Sequence, residues 1–139
     1  MVQFKWQRLP GHRNLKGRAG HTATLVGKQI FVLGGRIGNI FFNDAWVFDT
    51  ETEQWQQLQA HCAFSPRAYH TATLTGDGEL WVIVYGGYGG VDSKWLSDLA
   101  VLDTGTLEWE ILKPEGPPPA GRGYHTMTCV GENVIIYGG

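Results

Sequence analysis

RAGHTATLVGKQIFVLGG, residues 18–35, is the stretch that decides the fold, because the chain says it again twice. It returns as RAYHTATLTGDGELWVIVYGG at 67–87 and as RGYHTMTCVGENVIIYGG at 122–139. The leading arginines, Arg18, Arg67 and Arg122, stand 49 and 55 residues apart, and the glycine pairs that close each copy recur every 52 residues. Trp-x-x-Leu is a third marker, at Trp6 to Leu9, Trp55 to Leu58 and Trp109 to Leu112. An Asp pair is a fourth, Asp44 with Asp49 and Asp98 with Asp103. Four markers in one order make a repeat of about fifty residues, and such units bury their cores only against one another.

Each unit reads as four short strands. HTATLV at 21–26, HTATLT at 70–75 and HTMTCV at 125–130 alternate Thr with apolar residues, the period of a strand. A turn able to take positive φ follows, at Gly27-Lys28, Gly76-Asp77-Gly78 and Gly131-Glu132-Asn133. QIFVL at 29–33, LWVIVY at 80–85 and VIIYGG at 134–139 are apolar on both faces, as a strand between two layers must be. AWVFD at 45–49 and LAVLD at 99–103 give the third strand, and WQQL at 55–58 and WEIL at 109–112 the fourth. Connections such as PEGPPPAGRG at 114–123 exclude helix. Four-stranded meanders that need cover on both faces pack radially, as a β-propeller.

Composition agrees with a turn-rich all-β protein. Hydrophobic residues are 42% and charged residues 17%, with 20 glycines and 6 tryptophans. A net charge of -2, with 11 Lys and Arg scattered along the chain, gives no reason to expect nucleic acid. No apolar run approaches bilayer length, so no membrane association is expected, and MVQFKWQRLPGHR has no apolar core of a signal peptide. Cys62 and Cys129 occupy non-equivalent repeat positions and are expected to be reduced thiols of a cytoplasmic or nuclear protein.

The glycine pairs, the spaced Trp and the Arg-x-x-His start resemble the kelch repeat, in the longer variety found in kelch-domain adaptors. The resemblance covers nearly the whole chain and implies a partial kelch propeller. Residues 1–16 would give the closing outer strand of a neighbouring blade, 17–61 a first blade and 62–113 a second. Residues 114–139 would give the inner half of a third, for eleven blade strands in all. The remaining blades are expected from a longer chain, from self-association or from another chain. The period is too long for a WD repeat.

Residues that recur are expected to be structural, since equivalent positions are related by rotation and stand apart. His21, His70 and His125 should order the start of each inner strand by a local hydrogen bond. Arg18, Arg67 and Arg122 should tie inter-blade carbonyls or a neighbouring blade's carboxylate. Asp49 and Asp103 should cap turns. Gly34-Gly35, Gly86-Gly87 and Gly138-Gly139 should mark positive φ or close backbone approach, with no phosphate-loop Lys after them. The last pair is read as the kelch doublet rather than as a terminal diglycine signal. Trp55 and Trp109 should be spacers between blades.

The residues that break the repeat are the candidates for function. RIGNIFFN at 36–43 and YGGVDSKWLS at 88–97 are long for antiparallel connections. They carry Arg36, Phe41, Phe42, Tyr88, Asp92, Lys94 and Trp95, a composition typical of interaction hot spots. The resemblance places Tyr69 and Tyr124 on the same face, with Gly20 as their equivalent in the first blade. It implies a non-catalytic adaptor without a cofactor, binding a protein or peptide partner. Substrate reception for a ubiquitin ligase, cytoskeletal or trafficking roles and transcription cofactors all fit that description. The alternative is a propeller enzyme with an axial metal, like a copper oxidase or an iron-dependent specifier protein.

Overall fold

The computed structural model describes residues 1–59, 63–75 and 81–139. The turn expected at Gly76-Asp77-Gly78, and Cys62, lie outside the described residues. All regular structure among the described residues is β. The first blade is β1 (Thr22–Val26), β2 (Gln29–Leu33), β5 (Ala45–Asp49) and β6 (Gln54–Gln57), an antiparallel meander in that order. Its loop carries a small hairpin, β3 (Arg36–Ile37) with β4 (Ile40–Phe41).

The second blade repeats it. β8 (Thr71–Leu74), β9 (Trp81–Tyr85), β12 (Leu99–Asp103) and β13 (Glu108–Leu112) form the meander. β10 (Tyr88–Gly89) pairs with both β11 (Lys94–Trp95) and β7 (Arg67–Ala68). β14 (Thr126–Val130) and β15 (Asn133–Tyr137) form the inner hairpin of a third unit.

Register follows turn chemistry. Gly27 at φ 59° and Gly131 at φ 57° close the β1–β2 and β14–β15 hairpins, so Val26 faces Gln29 and Val130 faces Asn133. Asp49 Oδ1 accepts from the amides of Glu51 and Thr52, and Asp103 Oδ1 from those of Gly105 and Thr106. These bonds hold both carboxyls below the usual carboxylate value, which fits the turn-capping role expected of them.

The blades stack like wedges. β1, β8 and β14 lie side by side, alternating Thr with Ala in β1 and β8 and with Met and Cys in β14. Bulk sits further out. Phe31, Leu33, Val47 and Leu58 of the first blade meet Val82, Val84, Ala100 and Leu102 of the second, with the buried Phe64 in the connection. Trp109 closes this space, its ring edge-on to Phe64 at 4.9 Å, so the expected spacer role holds for it. Trp55 instead packs on Phe48 at 4.9 Å and donates to the Pro10 carbonyl. A second, smaller core of Ile83, Tyr85, Val101 and Met127 joins the second blade to β14 and β15.

Ten of the eleven expected blade strands are present. The segment Trp6 to Leu9 forms no strand among the described residues, and Trp6 is fully exposed. A fourth strand pairs only with a third, as β6 does with β5, and no third strand stands beside Trp6 among the described residues.

Two polar expectations need correction. The Arg side chains bind within their own blade rather than across to the next. Arg18 takes the Gly34 carbonyl and both oxygens of Asp44, and Arg67 takes the Gly86 carbonyl and both oxygens of Asp98. Arg122 reaches the Gly138 carbonyl. The reason is length: from the strand start, a guanidinium spans to the glycine pair of its own second strand.

The histidines do the opposite. Their bonds are not local but cross between blades, His70 Nε2 to Thr22 Oγ1 at 3.1 Å and His125 Nε2 to Thr71 Oγ1 at 2.6 Å. His21, which has no earlier blade beside it among the described residues, is exposed.

Candidate functional site

At the glycine pairs the junction between blades is made of backbone. The Gly35 amide donates to the Arg67 carbonyl and the Gly87 amide to the Arg122 carbonyl, both at 2.8 Å. Arg67 N donates in turn to Phe42 O, and Arg122 N to Leu96 O. A side chain would break this approach. A Cβ on Gly34 would stand 2.8 Å from the Arg67 carbonyl oxygen and one on Gly86 2.6 Å from that of Arg122, and both pairs sit at positive φ. Both reasons anticipated for the doublets therefore apply together.

Nearer the axis, Tyr69 N donates to Gly20 O and Tyr124 N to Tyr69 O, a belt of amides running from blade to blade. To make it, Tyr69 and Tyr124 adopt φ of 63° and 56°, the left-handed region where Gly20 also sits at 66°. That conformation is costly for an aromatic residue and persists because the surroundings fix it. It turns both rings onto the loop face. The Tyr69 ring lies over Gly20, where a Cβ would meet it at 2.7 Å. The Tyr124 ring stacks on Tyr69, centroids 4.4 Å apart and planes 26° apart. A hydrogen bond with the Tyr69 hydroxyl raises the Tyr124 phenol above its ordinary pKa.

The loop hairpins add an outer tier. Phe41 tilts against Tyr88 at 5.8 Å, Tyr88 meets the edge of Trp95 at 5.1 Å, and Trp95 meets Tyr124 at 6.0 Å. Gly123 makes room for Trp95, whose ring would stand 2.5 Å from a Cβ there. Arg36 sits at the first-blade end, its guanidinium 5.6 Å from the Phe41 ring and 5.9 Å from that of Tyr69, donating from Nη1 to the Tyr69 hydroxyl at 3.2 Å. Tyr124 is 69% and Trp95 47% exposed, so the outer end of this wall faces solvent.

Six of the nine residues singled out from the sequence thus form one contiguous surface: Arg36, Phe41, Tyr69, Tyr88, Trp95 and Tyr124. Three stand apart. Phe42 turns back beneath Arg18, whose guanidinium lies 4.4 Å from its ring. Asp92 and Lys94 pair with each other at 3.2 Å, both well exposed. Gly20 and Gly123, which give the rings their seats, were not singled out as site residues. The signal for Gly123 was its place two residues ahead of His125, where Ala19 and Ala68 stand in the other copies.

Polar chemistry elsewhere is spent on structure. Among the described residues no three His, Cys, Asp or Glu side chains are grouped to share a metal ion. His70 is buried and held neutral, its pKa pushed down to about 3 by desolvation first and by the Arg67 charge second. His125 shifts in the same direction for the same first cause. The Nδ1 atoms of both rings have no hydrogen-bond partner among the described residues. Cys129 is a half-buried free thiol beside the Gly131 carbonyl.

Four-stranded blades fanned from inner strands and sealed at glycine pairs define a segment of β-propeller. Over residues 1–139 the chain matches the KLHDC2/KLHL20/DRC7 Kelch-repeats domain, and it belongs to the kelch-repeat family. Kelch domain-containing protein 3 of Rattus norvegicus is 30% identical over 128 residues, covering 86% of this chain and 33% of that protein. Host cell factor of Drosophila melanogaster is 30% identical over 140 residues, covering 88% of this chain and 9% of its own length. Acyl-CoA-binding domain-containing protein 5 of Arabidopsis thaliana is 33% identical over 123 residues, 88% of this chain and 18% of that protein. The chain spans about a third of the length of the Kelch domain-containing protein 3 relatives.

Proposed function

We propose that this chain is a non-catalytic interaction module that binds a protein or peptide partner on the loop face. The carrying observation is the continuous aromatic wall from Phe41 to Tyr124, assembled from both loop hairpins and from two tyrosines held in a strained backbone conformation. Strain kept at an exposed surface points to use of that surface. Large, stiff aromatic rings with polar edges are what interfaces anchor on. Membership of the kelch family supports an interaction module; a ubiquitin-ligase receptor of the cytoplasm or nucleus is one role this reading includes. The partner would meet a ring whose other blades come from a longer chain or from association.

The test replaces Trp95 and Tyr124 by Ser, separately and together, and measures capture of partners from extract against the wild-type protein. Each substitution removes exposed ring surface at a cost of about 2 kcal/mol or more in binding, roughly thirtyfold, with the thermal transition unchanged within a few degrees. Undiminished binding of every partner by a folded double variant sinks this reading.

A further inference from the structure

The apolar wedge between the first two blades has a counterpart after the second blade, and there it stands open. A cleft of about 490 Å³ opens among Tyr85, Leu99, Leu112, Pro119, Val134 and Ile136. In the repeat these residues correspond to Leu33, Ala45, Leu58, Phe64, Val82 and Val84, which wall the filled wedge. Leu102 and Trp109 complete that wedge and have no counterpart beside the cleft among the described residues. The sheet edge is open as well. β15 pairs with β14 alone among the described strands, whereas β2 and β9 each have a strand on both sides.

The same chain carries a segment of matching chemistry that packs on nothing. Trp6 and Leu9 bear the Trp-x-x-Leu marker of Trp109 and Leu112. Phe4 and Trp6 are exposed and alternate with Gln3, Lys5 and Gln7, so an extended segment turns Phe4, Trp6 and Arg8 to one side. Its charge complements the second blade. Glu108 and Glu110 are exposed on the strand that brings Leu112 to the cleft, where the first blade has Gln54 and Gln56. Lys5 and Arg8 are exposed and make no ion pair among the described residues.

We propose that the cleft receives residues 4–9 of a second copy of this chain. The segment lies along the free edge of β15, with Phe4 and Trp6 in the space that Leu102 and Trp109 fill in the closed wedge, and with Arg8 facing Glu110. An open strand edge supplies main-chain bonds, and aromatic rings supply the anchor. A copy's own segment does not reach. Trp55 packs on Phe48, whose neighbour Val47 faces the second blade, so the Pro10 that Trp55 holds lies on the far side of the first blade. The four residues from Pro10 to Trp6 span at most about 14 Å. The cleft lies beyond both sheets, about 20 Å away at two sheet spacings. Exchange between copies satisfies both the cleft and the segment.

The test is sedimentation velocity on the 139-residue chain, with near-ultraviolet circular dichroism to check that each variant is folded. Wild type should run as a dimer or larger at micromolar concentration. Trp6→Ser should weaken association about thirtyfold or more. Lys5→Glu with Arg8→Glu, and separately Glu108→Lys with Glu110→Lys, should each leave a monomer. An equimolar mixture of these two charge-reversed proteins should associate again, because each segment then meets a cleft of opposite charge. The Trp95→Ser Tyr124→Ser variant should associate as wild type does, since the loop face takes no part. A wild-type monomer at every concentration, association that survives Trp6→Ser, or a reversed pair that stays monomeric when mixed overturns the proposal while leaving the loop-face reading standing. Loss of association in Trp95→Ser Tyr124→Ser moves the contact to the loop face and overturns it too.

Discussion

Arg67 is the most deeply buried charged side chain among the described residues. It is fully buried, bonded to both oxygens of Asp98 and to the Gly86 carbonyl. Arg67→Met should cost about 3 kcal/mol, because it strands a partly buried carboxylate and a carbonyl. Arg122→Met should cost less, since among the described residues that guanidinium bonds the carbonyls of Ala120 and Gly138 and no carboxylate. Urea denaturation of the two variants checks the order.

The buried histidines set a pH limit. His70 and His125 have folded pKa values below the ordinary one, so above about pH 6.5 they are neutral in both states and titration costs nothing. As pH falls from there toward 3, the unfolded chain binds protons that the folded His70 refuses, and stability drops. The urea midpoint should therefore fall between pH 7 and pH 5, and His70→Gln should flatten that slope. An unchanged slope in His70→Gln would contradict the assignment. Nothing in the sequence foretold the reach of these rings across to Thr22 and Thr71, because the recurrence of His marks its importance and not its direction.

At the scale of elements, the strands were legible to within a residue or so, since alternation in the inner strands and unbroken apolar runs in the second strands each have one cheap solution. AWVFD and LAVLD match β5 and β12 residue for residue. The short hairpins β3–β4 and β10–β11 were not legible. Each is only two residues per strand, too short for any period, and their pairing depends on the neighbouring segment 67–68 and on Ala19. The glycine pairs allow a sharp comparison. Gly86→Ala combines a left-handed φ with a contact 2.6 Å from the Arg122 carbonyl oxygen, whereas Gly131 has a similar φ and open space. Gly131→Ala should cost about 1–2 kcal/mol and Gly86→Ala more, read from denaturation midpoints. Equal costs would show that the inter-blade junction yields easily.

At the scale of the molecule, the face after the second blade differs from the face before it. Between the first two blades Phe64 and Trp109 fill the wedge. Beyond the second, a cavity of about 490 Å³ opens among Tyr85, Leu99, Leu112, Pro119, Val134 and Ile136. Ile135 and Tyr137 are exposed on the far side of β15, and Phe4 and Trp6 are exposed at the other end of the chain. Apolar surface of this extent associates or binds apolar probes. The isolated 139-residue chain should sediment above its 15.4 kDa mass or bind a hydrophobic dye. A dye-silent monomer would refute this.

Beside the apolar wedge, the junctions between blades carry a seam written in main-chain atoms: an amide from a glycine pair, a carbonyl from the next Arg-x-x-His start, and the belt from Gly20 through Tyr69 to Tyr124. That part of the joint does not ask which side chains its neighbour brings, whereas the apolar wedge and the His–Thr bonds beside it do. A blade cut between one arginine and the next and grafted from a relative would keep its main-chain seam, and its loop hairpins could diversify, as long as the residues of the wedge stay matched.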